Sequence, residues 1–308
     1  MNGIVVINKP AGISSARLVA RVKRLLQARK VGHTGTLDPF ARGVVVCCIN
    51  QATRLAPFLL HSPKTYEGVL TLGIDTDTQD ATGQVIARRD GSGISAEALQ
   101  RVFQRYVGPY HQLPPAYSAL KHEGVPLYVL ARRGRPVQKP AREVSIFRIR
   151  LLAVEPPRVR FEVYCSAGTY IRTLCADIGR ELGCGGHLSE LIRLKSGGFT
   201  LKEALTPDDL ENLAQRGEAR KAVLPMARAL PDMAEIPAGP PLLEKVRYGR
   251  PLTREEVGTE GIPEETPTED GRLLKLIDSQ GELVAVLRQP PGADALKYCC
   301  VFARPERG

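Results

Sequence analysis

The sequence predicts an α+β fold, with a mixed, mostly antiparallel central sheet, flanking helices and loops, and a small C-terminal β domain. Three observations lead there. Apolar runs of strand length recur at 4–7, 43–49, 144–153 and 159–166. Between them lie stretches with helical spacing, one carrying Leu18, Val19, Val22, Leu25 and Leu26, another Ile171, Leu174, Cys175, Ile178 and Leu182. Finally, 308 residues exceed the roughly 100–200 that one core usually organises. The proline-rich stretch around 213–240 has the composition of a linker. Two domains are expected, 1–230 and 231–308.

In chain order, residues 4–7 form a strand, Lys9-Pro10-Ala11-Gly12 a turn, and Ser14 or Ser15 caps a helix that ends before Gly32. Residues 32–39 have neither period and form a structured loop before the buried run at 43–49. Residues 64–74 and 85–88 read as strands of a hairpin joined by a turn-rich segment, and Ser95 opens a helix bearing Leu99, Val102, Phe103 and Tyr106. Residues 169–182 form a further helix. Short strands at 273–277 and 283–287 mark the C-terminal β unit. Inside that unit, residues 251–270 hold seven acids against Arg254 alone, which predicts a solvated acidic loop near 253–270.

Composition narrows the function classes. No stretch approaches the roughly 18 apolar residues of a membrane span, and the N-terminus reads as a strand rather than a secretory signal. A soluble, cytoplasmic protein is expected. Seven cysteines, including the adjacent pairs Cys47-Cys48 and Cys299-Cys300, suit a reducing compartment without disulfides. Cys184 and His187 make at most half of a zinc site, so no metal is expected. The formal charge of +10 is segregated: residues 1–60 hold nine Lys or Arg against the single acid Asp38, and residues 101–150 hold ten against Glu123 and Glu143. Clustered positive charge beside Gly- and Pro-rich loops is the footprint of a phosphate backbone, so the expected partner is nucleic acid, with a basic RNA-binding insert near 110–142.

Asp38 is conspicuous because it stands alone among bases, next to Pro39, in a loop of no regular period. Neighbouring positive charge favours an ionised carboxylate, as a nucleophile or base requires. On composition alone, an aspartate that merely caps loop amides reads equally well. The five histidines show no pairing pattern with any cysteine, which argues against a thiol hydrolase.

The string Gly32-His33-Thr34-Gly35-Thr36-Leu37-Asp38-Pro39 with Ala41-Arg42-Gly43, preceded by Asn8-Lys9-Pro10-Ala11-Gly12, closely resembles the TruB family of pseudouridine synthases, which modify uridine 55 of bacterial tRNA. The resemblance continues through Lys64-Thr65-Tyr66, Gly73-Ile74-Asp75-Thr76-Asp77-Thr78, 114–121, Gly168-Thr169-Tyr170-Ile171-Arg172-Thr173-Leu174 and 182–188, and so spans roughly residues 3–230.

The resemblance implies the pseudouridine synthase fold and an isomerase that flips a T-loop uridine out of the stack, detaches uracil from C1′ and rejoins it through C5, without cofactor or metal. It makes Asp38 the catalytic carboxylate, acting at the sugar as nucleophile, as base, or by stabilising oxocarbenium-like charge. Arg172 is implied to pair with that carboxylate, Tyr66 to stack on the base, and Leu191 to lie beneath the uracil. Tyr170 packs beside the nucleotide, His33 supports the stack the nucleotide vacates, and Lys9 and Pro10 buttress the catalytic loop. The C-terminal unit resembles, more weakly, the PUA domain of RNA-modifying enzymes. The implied partner is the tRNA T-arm, with no protein partner and a monomer as the default. The rival readings are a non-catalytic RNA-binding or tRNA-folding protein and a synthase acting on another RNA.

Overall fold

The computed structural model describes residues 1–258 and 271–302. The chain opens with β1 (Gly3–Lys9) and enters α1 (Ser15–Leu25), capped by the Ser14 hydroxyl, which accepts from the Arg17 N–H. Leu18 and Val22 are the helix's buried stripe, and Lys23 and Arg24 sit in its last turn, at the negative end of the helix dipole. β2 (Val31–His33) and β3 (Arg42–Ile49) follow. In β1 and β3, alternate residues face different cores. Val5, Ile7, Val45, Cys47 and Ile49 join one cluster with α1, whereas Ile4, Val6, Val44, Val46 and Cys48 join a second cluster with C-terminal residues Leu283, Val286, Cys300 and Phe302. Burial on both faces explains why these strands read as unbroken apolar runs.

After α2 (Ala56–Leu60) come β4 (Lys64–Leu72), β5 (Ile74–Thr76), β6 (Val85–Arg88) and α3 (Ala96–Arg105). The expected strand at 64–74 is two strands. Gly73 turns the chain at φ +83°, where a Cβ would lie 2.6 Å from the Arg89 carbonyl oxygen, so the hairpin is β5 with β6 while β4 pairs elsewhere. Next are β7 (Gly108–Gln112), the short β8 (Lys121–His122) and β9 (Val125–Pro126), α4 (Leu127–Arg132), β10 (Arg142–Glu155) and β11 (Arg158–Cys165). α5 (Ile171–Glu181) leads into β12 (Gly186–Ser196) and β13 (Phe199–Thr200), and then α6 (Pro207–Gln215).

These strands form the expected mixed sheet in the order β1-β3-β12-β4-β11-β10-β7, with β13 on β12 and β2 on β3. Every pairing in it is antiparallel except β3 with β12. That exception positions the site. One edge of β3 is paired along its length by β1; the other meets β12 only at Arg42 and Gly43 and β2 only from Cys47 onward. The chain between β2 and β3 occupies this gap, and Thr34 N–H donates to the Val46 carbonyl.

The C-terminal unit comprises β14 (Ala234–Pro237), α7 (Pro240–Arg247), β15 (Leu252–Thr253), β16 (Arg272–Ile277), β17 (Leu283–Gln289) and β18 (Ala295–Val301), in a sheet ordered β14-β16-β17-β18-β15. The stretch 213–240 is structured along its length rather than a free linker. Leu224 exchanges both backbone hydrogen bonds with Ile4, Met226 and Ala229 are buried, and Ala234–Pro237 is an edge strand, where proline is tolerated. Buried Lys275 donates to the Ala227 and Leu230 carbonyls, and Arg54 reaches the Val301 carbonyl and the Phe302 ring. Of the acidic loop expected near 253–270, residues 259–270 lie outside the described residues. No helix among the described residues is long and apolar enough to cross a membrane.

Candidate active site

The loop between β2 and β3 has no repeating hydrogen bonds of its own, so its shape comes from side chains of neighbouring elements. The Ser15 hydroxyl, at the start of α1, both donates to the Leu37 carbonyl and accepts from the Leu37 N–H, each at 2.9 Å. The Lys9 ammonium is fully buried and donates to the carbonyls of Pro10, Ile13 and Pro39 at 2.9, 2.8 and 3.2 Å. Three donors meet three acceptors. Burial pushes the Lys9 amine down to about 8, with Asp38 opposing the shift. From the other side, Arg193 on β12 donates to the carbonyls of Val44, Gly35 and Thr36 at 2.6, 3.0 and 3.3 Å. It thereby satisfies a β3 carbonyl in the gap left by the incomplete β3–β12 pairing.

So held, the loop presents Asp38, whose side chain is 32% exposed, to Arg172, the second residue of α5, which is 3% exposed. Arg172 Nε lies 2.8 Å from Oδ2 at an angle outside hydrogen-bond geometry, and Nη2 lies 3.4 Å from Oδ1. The contact is a two-point ion pair. Nη1 and Nη2 also donate to the Thr78 and Tyr117 carbonyls at 2.8 and 2.9 Å, and Nη1 lies 3.4 Å from Oδ2 of buried Asp80. Asp80 accepts from the Thr78 and Thr82 hydroxyls and the Thr82 N–H. One buried guanidinium thus joins three segments, and its desolvation is offset by two carboxylates and two carbonyls.

The pair opens onto a cavity of about 360 Å³. Tyr66 on β4 and Leu191 on β12 line it, both buried. Burial pushes the Tyr66 phenol up, opposed by Arg193 beside it, so the hydroxyl keeps its proton near neutrality. Tyr170 forms another wall, its backbone gripped by buried Gln112, which accepts from the Tyr170 N–H and donates to its carbonyl at 2.7 and 2.9 Å. Arg142 stacks on the Tyr170 ring at 5.0 Å and donates to the Gly168 carbonyl. A larger cavity of about 440 Å³ contains Asp75, but that carboxylate is already occupied by Arg89 and the Gly186 N–H.

Asp38, Tyr66, Tyr170, Arg172 and Leu191, singled out from sequence, therefore meet around one cavity. Lys9 and Pro10 stand behind the loop rather than on the wall. His33 lies at the end of β2 off the wall, its Nδ1 accepting from the Gly35 N–H at 3.2 Å; burial and then Arg193 lower its pKa. Sequence reasoning missed Ser15, Lys64, Asp80, Gln112 and Arg193. A cation between Ile192 and Leu194 in a strand was the available signal for Arg193, whereas Gln112, in Gly108–Gln112 beside Tyr110 and His111, offered none. Among the described residues, no group of three or more His, Cys, Asp or Glu is placed to hold a metal ion.

A carboxylate ion-paired with a buried arginine, above an aromatic and aliphatic seat, suits sugar chemistry on a nucleotide whose base is held apart from solvent. Comparison with known proteins agrees. The TruB family pseudouridylate synthase N-terminal domain matches residues 23–171, and the tRNA pseudouridylate synthase B C-terminal domain matches residues 172–231. The fold is that of a pseudouridylate synthase. A curated relative from Syntrophotalea carbinolica, tRNA pseudouridine synthase B, is 43% identical over 293 residues, covering 95% of this chain and 94% of that one. One of the same description from Cupriavidus metallidurans is 40% identical over 311 residues, covering 100% and 94%. A chain in the crystal structure of a Cbf5-Nop10-Gar1 complex superposes with TM-score 0.72 at 26% identity, covering 97% of this chain and 84% of that one. The chain belongs to the TruB family.

Proposed function

We propose that this protein isomerises uridine to pseudouridine at position 55 in the T-loop of tRNA, with Asp38 as the essential carboxylate. The observation that carries this reading is the Asp38–Arg172 pair at the mouth of a cavity seated on Tyr66 and Leu191. A uridine flipped from its stack places uracil between Tyr66 and Leu191, with Tyr170 beside it, and brings C1′ and C2′ of its ribose to Asp38. Arg172 orients the carboxylate so that it attacks C1′, removes the C2′ proton or stabilises positive charge on the ring. The base then turns within the cavity and rejoins through C5. His33, next to the loop, supports the stack left behind. Lys9 and Pro10 act by holding the loop.

In this reading residues 1–230 form the catalytic domain and residues 231–308 a PUA-like domain. The basic segment near 110–142 clamps the T-arm, recognised by backbone shape and unstacked loop bases. The enzyme works as a cytoplasmic monomer without cofactor. The test is tritium release from tRNA labelled at uracil C5. Release is expected from the native chain, with a loss of about 10³-fold or more in Asp38→Asn. Undiminished release from the variant would overturn the role of Asp38, and tRNA binding without release from the native chain would overturn the reaction.

A further inference from the structure

The cavity contains more positive charge than the Asp38–Arg172 pair uses. Four cations line it, Lys64, Arg142, Arg172 and Arg193, against the single carboxylate Asp38. Arg172 is answered by Asp38 and Asp80. Lys64 and Arg193 are 5% and 2% exposed, yet among the described residues their hydrogen-bond partners are backbone carbonyls and neither is ion-paired with a carboxylate. Two buried cations without counter-charge are costly unless something negative arrives.

Strand geometry shows which face they share. Lys64 and Tyr66 are two residues apart on β4, and Leu191 and Arg193 two apart on β12, so each pair shares a face of the sheet. The β4–β12 register sets Tyr66 opposite Arg193 and Gly68 opposite Leu191. All four side chains line the same cavity. The two cations also border one spot: a Cβ on Gly35 would lie 3.5 Å from Arg193 Nη1 and 3.9 Å from Lys64 Cε. The floor is thus an apolar seat with a cationic rim, formed by neighbouring residues of two strands.

We propose that Lys64 and Arg193 stabilise the negative charge that uracil acquires when its glycosidic bond breaks. The inference rests on the uridine-isomerase reading. Heterolysis of C1′–N1 leaves the electron pair on N1, so the detached base is an anion whether Asp38 bonds to C1′ or takes the C2′ proton. When C5 bonds to C1′, the base supplies that pair; the Asp38–C1′ bond breaks with its electrons returning to the carboxylate, or Asp38 returns the proton it took from C2′. The C5 proton then passes to solvent while N1 regains a proton. An RNA phosphate is the other candidate anion, but both cations are buried on the sheet face that carries Tyr66 and Leu191, whereas a phosphate stays with the hydrated backbone. Donors aimed at charge that develops only as the bond breaks raise kcat rather than lower KM.

The test compares Lys64→Met, Lys64→Arg and Arg193→Lys with the native enzyme in single-turnover reactions. The substrates are tRNA transcripts with uridine or 5-fluorouridine at the target, and the modified nucleosides are separated by chromatography after digestion. Fluorine stabilises the base anion itself. Lys64→Met is expected to lose about 100-fold in rate with uridine, with tRNA affinity unchanged, and at least tenfold less than that with 5-fluorouridine. Lys64→Arg keeps the charge and is expected to keep most of the rate; Arg193→Lys keeps the charge but gives up hydrogen bonds to the Asp38 loop, so part of its loss is expected to persist with 5-fluorouridine. Equal losses on both substrates, or loss of affinity alone, would overturn the inference; the second outcome would indicate a phosphate contact. If Lys64→Met fails to fold by thermal melt, the same comparison in Lys64→Arg and Arg193→Lys decides, through any residual loss being relieved or not by fluorine. A native enzyme that modifies neither transcript would instead overturn the isomerase reading.

Discussion

The loop carrying Asp38 and the basic segment near 110–142 reach the same cavity by opposite means. The loop is fastened from three elements: Lys9 on β1, Ser15 on α1 and Arg193 on β12, each buried and each bound to its backbone. The basic segment is secured near its start, where Tyr117 meets Arg172 and Ser118 and Leu120 accept from Tyr128 and Leu127, while Arg132, Arg133 and Arg135 stand exposed. Under the proposed function, a carboxylate that must meet a sugar carbon tolerates little displacement, which suits an over-determined loop. Under the same proposal, charges that meet a phosphate backbone act at longer range, which suits arginines left in solvent.

That contrast breaks first at Gly43. Its φ is +110°, and a Cβ would lie 2.3 Å from the Arg193 carbonyl oxygen, so Gly43→Ala forces β3 and β12 apart and dislodges Arg193. A loss of about 3 kcal/mol or more is expected, read by denaturant unfolding. Ser15→Ala is gentler. It leaves both Leu37 backbone groups without their partner, at about 1–3 kcal/mol, and is expected to lower kcat while tRNA affinity stays constant. Equal changes in kcat and affinity would contradict a positioning role.

Replacing Arg132, Arg133 and Arg135 together by alanine tests the other region. Affinity falls and the slope of log affinity against log salt becomes shallower by about 2, with saturated kcat unchanged. A drop in kcat with an unaltered slope would place these residues in the chemistry instead. The smallest effect is in pH. Burial lowers the Lys9 and Lys64 amines from the ordinary 10.5 to about 8, so between those values the unfolded chain binds more protons than the folded one. Stability contributed by these two groups therefore rises with pH across that window. Unfolding curves at pH 8 and 9.5 are expected to differ less in Lys64→Met than in the native protein.

Much of this was legible in the chain. Apolar runs located β1, β3, β10, β11, β16 and β17, and helical spacing located α1, α3 and α5, because one-sided or two-sided burial imposes its period on the residues. Asp38 stood out as a lone acid among bases. The break at Gly73 and the folded course of 213–240 did not, since both depend on which partner the backbone finds. Asp80 was hidden in a turn-rich stretch where aspartates are commonplace.

What the sequence by itself determined is the order of the elements, the segregation of charge and the carboxylate at position 38. Tertiary structure alone decided that Lys64, Tyr66, Leu191 and Arg193 form one floor, and that Arg172 serves Asp38 and Asp80 together. The physical reason lies in strand pairing. Residues more than a hundred positions apart became neighbours through the β4–β12 register, and a charged residue written in a strand looks the same whether it faces water or the base of a cavity.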